Sequence, residues 1–253
     1  MTETYTIRKD PTEAPLFVHE LEVLSDPQGR VLDLGAGEGT FNYGKVKCVV
    51  VAADRDLPTR PPRSPRVQCD AEALAFASGV FDAVIANFSF EHFAHPDRVL
   101  PEIERVLRET GLLYLSIPNG AALEDRLFRL LSGRRYHVQK YSFHSLVRLV
   151  YRRTTLRLVS FADWPAGYTW LRKPSDGSLL RRIVFSCLLP PKGLLRRHGR
   201  SDSGWVMLFA KTRMSGFRNV AYVCEHCGAG ASPGSEASSV WQCSQCNGIN
   251  RIF

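Results

Sequence analysis

The chain has 253 residues, 44% of them hydrophobic and 23% charged, an ordinary globular balance that excludes a wholly disordered, collagen-like or disulfide-dense secreted class. That length suits one large α/β domain with a small appendage, or two modest domains. The formal charge of +8 is unevenly spread: residues 1–120 carry −6, residues 121–220 carry +15 and residues 221–253 carry −1.

In chain order, Leu16, Phe17, Leu21 and Leu24 recur at helical spacing, which predicts a helix over 15–25 that ends at Asp26, Pro27 and Gly29. Apolar strands are predicted at 31–34, 46–53, 67–70, 81–86 and 112–117. A helix is predicted over 96–108, with Val99, Ile103, Val106 and Leu107 on its apolar face. Continuously apolar strands alternating with helices indicate a parallel sheet covered on both faces. From 121 the pattern changes: basic amphipathic helices are expected at 121–131 and 142–151, with sixth and seventh strands at 156–161 and 205–211. Residues 215–220 read as a linker, and 221–253 as a separate module rich in Cys, Gly and Ser. Residues 1–10 lack the apolar core of a secretory signal, and no run nears the length of a membrane span. The expectation is therefore a cytoplasmic chain whose seven cysteines stay reduced or bind metal.

The first strand runs into Asp33-Leu34-Gly35-Ala36-Gly37-Glu38-Gly39. Glycines there let the backbone turn tightly at a strand's carboxyl end and approach a ligand, the place where open α/β sheets bind them. An acid closing the second strand, Asp54, can accept from both hydroxyls of a ribose. A dinucleotide fingerprint is the rival, but the chain reads Gly35-x-Gly37-x-x-Thr40 and lacks its third glycine, which falls at Gly39 instead.

Together these residues resemble the first motif of the class I S-adenosylmethionine-dependent methyltransferases. The resemblance continues through Cys69-Asp70-Ala71-Glu72-Ala73-Leu74-Ala75-Phe76, Phe81-Asp82-Ala83-Val84-Ile85 and Phe90-Glu91-His92-Phe93 followed by Pro96-Asp97, the last similar to the methyltransferase type 11 group. It extends from Arg105-Val106-Leu107 to Ser116-Ile117-Pro118-Asn119 and covers roughly residues 15–212. It implies a Rossmann-like α/β fold: a seven-stranded, mostly parallel sheet with helices on both faces, in a domain spanning 1–214. It also implies S-adenosylmethionine as cofactor. Gly35, Ala36, Gly37 and Gly39 would face the donor's methionine part, and Asp33 its amino group, directly or through water. Asp54 would hold the ribose and Asp70 the adenine amino group. Ala71 would offer its backbone N–H to the ring, Arg55 would flank the adenine, and Asn87 and Phe88 would lie beside the methyl group. One departure is that only Thr40 to Lys47 separate the glycine turn from the second strand, where the family has a full helix. Another is Thr110-Gly111 in place of Pro-Gly-Gly.

The acceptor is less legible. Ala86-Asn87-Phe88-Ser89 is neither the Asn/Asp-Pro-Pro-Tyr/Phe of base amino-methylation nor a Pro-Cys pair for attack on a pyrimidine. His92, His137 and His144 are candidate bases, with His92 and His137 the catalytic expectation and structural packing the alternative. The basic stretch 121–204 interleaves Arg with apolar clusters, which suits a cap over the active site or an interfacial surface on an anionic bilayer. The reading is methyl transfer to a small-molecule, lipid-linked or glycan-type acceptor, anionic in character, with peripheral membrane contact as a further expectation. The alternatives are an RNA- or ribosome-associated methyltransferase and a non-catalytic binding module on the same fold.

Near the C-terminus, Cys224-x-x-Cys227 and, after 15 residues, Cys243-x-x-Cys246 have zinc-ribbon spacing. Two knuckles of two thiolates each make a closed tetrahedral site, so the expected zinc is structural. Gly228 and Asn247 tolerate the left-handed backbone such turns need. A pair of disulfides is the alternative. The ribbon is expected to dock a partner subunit, protein or RNA.

Overall fold

In the computed structural model, the residues described are 18, 21–56, 64–120, 122, 125–126, 138–165, 202–211 and short stretches within 222–251. Seven strands form one sheet: β1 (Arg30–Leu34), β2 (Val49–Asp54), β3 (Arg66–Gln68), β4 (Phe81–Asn87), β5 (Leu107–Pro118), β6 (Leu156–Pro165) and β7 (Asp202–Lys211). Their order is β3-β2-β1-β4-β5-β7-β6. The first five pair in parallel, while β7 runs antiparallel to both β5 and β6. The order reverses at β1, between β2 and β4, which opens a crevice at the strand carboxyl ends. The mostly parallel seven-stranded sheet is thus as expected.

Successive strand residues point to opposite faces, and the core splits accordingly. On one face, Leu32, Leu34, Val84, Leu113, Leu115 and Phe209 pack under two helices. These are α1 (Pro96–Val106), which buries Val99, Leu100, Ile103 and Val106, and α2 (Phe143–Arg153), which buries Leu146, Val147 and Val150. Pro96 opens α1 at a position where its missing N–H costs nothing. Ser142 caps α2 reciprocally with Ser145, and Arg152 and Arg153 occupy its last turn, where cations meet the helix dipole favourably.

The other face buries Val31, Val50, Ala83, Ile85 and Tyr114 under Val18, Leu21 and Leu24, with Phe41, Tyr43 and Val46 at its edge. Helices were expected on both faces, and the stretch predicted as a helix at 15–25 is described only at 18 and 21–25, where it forms a 3-10 turn at Glu22–Ser25. Among the described residues, this face is covered by the 3-10 turns Glu22–Ser25 and Tyr43–Lys45 and both α-helices lie on the first. Most of the helix predicted at 121–131 lies outside the described residues. No helix among those described is long and apolar enough to cross a membrane.

Arg105 ties the segment after β3 to α1. Its guanidinium donates to the Leu74 carbonyl at 2.9 Å, the Phe76 carbonyl at 2.7 Å and both Glu102 oxygens at 2.7–2.8 Å, while the Leu74 N–H donates to Glu102 at 2.8 Å. Arg105→Met should lower stability by about 1.5–3 kcal/mol, the worth of charge-assisted hydrogen bonds, as read by urea unfolding. The Arg105 hydrogen bond, aided by the Leu74 amide, holds the Glu102 carboxyl below its usual value. Its contribution is therefore complete above the unfolded carboxylate range and is lost as pH falls through the lowered folded value. The stability gap between wild type and Glu102→Gln should shrink on acidification; a gap constant with pH would contradict this.

Candidate functional site

β1 ends at Leu34 and the chain reverses at Gly35. The Gly35 and Ala36 amides both donate to the Ala53 carbonyl, at 2.8 and 3.1 Å, which locks the turn to the end of β2. From the other side, Ser89 Oγ donates to the Leu34 carbonyl at 2.6 Å. Gly35 has φ +70°, and a Cβ there would lie 2.6 Å from the Ser89 Cβ, so the turn is closed to any side chain. Further along, the Gly37 N–H donates to Asp54 Oδ2 at 2.7 Å, and the Asp56 N–H to Asp54 Oδ1 at 3.0 Å. Gly35, Ala36, Gly37, Gly39 and Asp54 are thereby brought to one rim of the crevice, with Gly37 and Gly39 exposed.

Asp33 lies beneath that rim. It is fully buried and accepts from the Thr40 N–H at 3.0 Å, the Thr40 hydroxyl at 2.7 Å and the Tyr43 hydroxyl. Burial pushes its carboxyl above the usual range, against the pull of these hydrogen bonds and of the nearby Arg66 charge. The Tyr43 phenol is pushed up in turn by burial and by the Asp33 charge beside it. The carboxylate's hydrogen bonds are thus turned inward to the loop.

On the β3 side, the Cys69 N–H donates to the Asp54 carbonyl at 3.0 Å, which sets Asp70 next to the end of β2. Asp70 Oδ1 accepts from the Glu72 N–H at 2.9 Å and so shapes the following turn, where Ala71 packs half-buried against the core. Arg55 is exposed, its carbonyl accepting from Gln68 Nε2 at 2.9 Å. Arg66 reaches across to donate to the Gly37 carbonyl.

On the β4 side, Asn87 Nδ2 donates to the Thr40 carbonyl at 2.9 Å. Phe88 follows at φ +53°, its N–H donating to the Ser116 carbonyl at 2.9 Å. A left-handed aromatic residue stores roughly 1–3 kcal/mol of strain, and such positions cluster at functional sites. Ser116, paired in register with Asn87, has a buried hydroxyl with no hydrogen-bond partner among the described residues.

The 3-10 turn Phe90–His92 buries Phe90 and Glu91 and leaves His92 exposed. Gln139 clamps this turn, its N–H donating to the Glu91 carbonyl at 2.9 Å and its Nε2 to the Ala94 carbonyl at 3.1 Å. Tyr141 lies alongside; burial, then the charges of Glu91 and Asp97, pushes its phenol up. His137 lies outside the described residues. His144 is buried in α2, edge-on to the Phe143 ring at 5.3 Å, a packing position. Sequence reasoning named neither Tyr43, Arg66, Ser116 and Tyr141 nor Glu91 as site residues, although Glu91 stands inside the motif it quoted.

In the C-terminal module, two antiparallel pairs are described: β8 (Tyr222–Val223) with β9 (Gly230–Ala231), and β10 (Val240–Gln242) with β11 (Ile249–Arg251). Cys243 is buried between β10 and β11. Its sulfur accepts from the Gln245 N–H at 3.4 Å, its carbonyl accepts from the Asn247 N–H at 2.8 Å, and Asn247 has φ +58°. Cys224, Cys227 and Cys246 lie outside the described residues. No group of three or more metal-ligating side chains occurs among those described.

Residues 7–160 match a family profile described as a methyltransferase domain. The demethylmenaquinone methyltransferase of Renibacterium salmoninarum is 36% identical over 98 residues, covering 36% of this chain and 41% of that protein. The ubiquinone/menaquinone biosynthesis C-methyltransferase UbiE of Burkholderia mallei is 30% identical over 100 residues, covering 34% and 41%. The chain thus spans about two fifths of the length of the curated relatives it matches. Among solved structures, the geranyl diphosphate C-methyltransferase of Streptomyces coelicolor, in complex with Mg2+, geranyl diphosphate and S-adenosyl-L-homocysteine, shares the fold. Its TM-score is 0.53 at 12% identity, over 76% of this chain and 77% of that one.

Proposed function

The chain belongs to the class I S-adenosylmethionine-dependent methyltransferases, and from that premise we propose that it transfers a methyl group from S-adenosylmethionine to a small-molecule, lipid-linked or glycan-type acceptor. The observation that carries the donor half is the hydrogen bond from the Gly37 N–H to Asp54 at 2.7 Å, which joins the glycine turn of β1 to the acid ending β2. Gly37 and Gly39 are exposed at that point and carry no side chain to block a ligand's approach, and Asp54 retains accepting capacity for ribose hydroxyls. The bound donor supplies a sulfonium methyl group ready for in-line displacement. Asn87 and Phe88 close the opposite side of the crevice, where alignment rather than covalent chemistry is the chain's task. His92 and His137 are the proposed proton acceptors, and His92 is exposed on the turn that follows the crevice.

The small-molecule acceptor is supported by the names of the curated relatives, two of which are quinone-biosynthesis enzymes. The +15 of residues 121–220 favours an anionic group on it, or an anionic surface around it. The test is to incubate the full chain with methyl-labelled donor and separated lipid, glycan, RNA, protein and metabolite fractions. Label in the lipid, glycan or metabolite fraction is the expected result. Label in RNA would replace this reading with the RNA-directed one, and donor binding without transfer to any fraction would leave a binding module.

The four cysteines Cys224, Cys227, Cys243 and Cys246 are proposed to hold one structural zinc ion. Cys243 fits: a buried sulfur accepting an amide N–H, followed by a left-handed Asn, is the backbone arrangement of a thiolate ligand in a tight knuckle. The purified chain should contain about one zinc per molecule, and Cys243→Ser should lose most of it while donor affinity stays unchanged. A metal-free wild type indifferent to chelator would overturn the zinc.

A further inference from the structure

The loop between β1 and β2 has little intrinsic reason to hold one shape. Gly35, Gly37 and Gly39 sit at φ +70°, +50° and +117°, and a Cβ on Gly37 would meet nothing within 4 Å. Its one regular element among the described residues is the single turn Tyr43–Lys45. Glycines lose more conformational freedom on ordering than any other residue, so a loop of this kind needs an external constraint to be ready for a ligand.

Ala53, Asp54 and Arg66 hold residues 35–37, and for the part that follows the constraint is polar and sits underneath. Thr40 and Tyr43 both donate to the buried carboxylate of Asp33, which belongs to the rigid β1. Tyr43 also covers the loop from its side, with ring atoms 3.4–3.6 Å from where a Gly39 Cβ would be, and meets Phe41 edge-on at 4.8 Å. Thr40 passes the constraint on, because its carbonyl accepts from Asn87 Nδ2 at the opposite wall of the crevice. A buried carboxylate strengthens each hydrogen bond it accepts, since water cannot compete there.

We propose that Tyr43 is a positioning residue for the methyl donor: its hydroxyl, acting through Asp33, holds the loop 35–40 in its receiving shape, the task that a helix following the glycine turn would otherwise perform. This rests on the donor-binding reading above. No proton transfer is involved; the hydroxyl donates and the carboxylate accepts in the free and the bound chain alike.

The experiment compares wild type with Tyr43→Phe, which keeps the ring over Gly39 and against Phe41 and removes only the hydroxyl. Titration with S-adenosylmethionine, steady-state kinetics and hydrogen exchange are read together on the full chain. Tyr43→Phe should raise the donor Kd and KM about tenfold while kcat at saturating donor stays within about twofold. Amide exchange should quicken over 35–43 and stay unchanged across β4, β5 and β7. An unchanged donor Kd overturns the proposal. So does a weaker Kd accompanied by faster exchange throughout the sheet, which is what general destabilisation produces. If Tyr43→Phe fails to fold, Thr40→Val decides, with a smaller loss of donor affinity expected and none contradicting the proposal. A folded wild type that binds no donor instead sinks the methyltransferase reading itself, before any variant is compared.

Discussion

Gly35→Ala should both destabilise the chain and abolish donor binding. A Cβ at this position would lie 2.6 Å from Ser89 Cβ and 3.1 Å from Ser89 Oγ, and Ser89 is itself fixed by its bond to the Leu34 carbonyl. The φ of +70° adds a left-handed penalty of about 1–2 kcal/mol, and overpacking adds about 1–3 kcal/mol more. Relief requires Gly35 to move away from Ser89, which breaks the paired amide bonds to Ala53 and displaces Gly37 from Asp54. Gly79→Ala is the matched control. Its φ is +68°, but a Cβ there meets nothing within 4 Å, so it should cost the backbone penalty and leave donor affinity intact. Equal effects of the two substitutions on donor binding would contradict the assignment.

Asp54→Ala should weaken donor binding by about 100-fold or more with little loss of stability, since two charge-assisted hydrogen bonds of about 1.5–3 kcal/mol each are withdrawn from the ligand. The carboxylate is only half-buried, and the Gly37 and Asp56 amides it releases lie at exposed positions that water can reach. Asp54→Asn keeps a carbonyl oxygen for Gly37 and should fall between the two. The readout is donor Kd by calorimetry beside thermal unfolding. A variant that binds normally would move the ribose site elsewhere.

The parallel half of the sheet was legible because β1, β2 and β4 are buried on both faces and therefore read as continuous apolar runs. The boundaries were less so. The second strand begins at Val49 rather than at 46, because Lys47 and Cys48 donate to the Leu24 carbonyl instead of joining the ladder. The fifth strand begins at Leu107 rather than at 112. The polar run Arg108-Glu109-Thr110-Gly111 resembles a turn in sequence, yet Leu107 pairs with Phe81 and Arg108 binds Asp82 across a register shift. The glycines and Asp54 could be singled out in the sequence because backbone freedom and strand-end position are visible there, and the structure brings them to one rim. Tyr43 could not be, because nothing in the spacing of residues 33 and 43 shows that a short loop folds one side chain beneath the other. The burial of Glu91 beside an exposed His92 was not legible for a similar reason. A single 3-10 turn decides which of two adjacent residues is buried, and it buries Glu91.

The net charge also divides along the structure. The described crevice is built from residues 33–116, within the acidic part of the chain, whereas much of the +15 segment lies outside the described residues. On the proposed reading, the donor would meet the glycine turn and Asp54 in the acidic part of the chain, and the acceptor the basic stretch.

The most direct measurement is calorimetric titration of the full chain with S-adenosylmethionine, run beside Asp54→Ala under conditions where both are folded. Saturable binding at one site per chain, lost in the variant, is the predicted result. A folded wild type that releases no heat and protects no amide around Gly35–Thr40, or a variant that binds as tightly as wild type, would contradict the account.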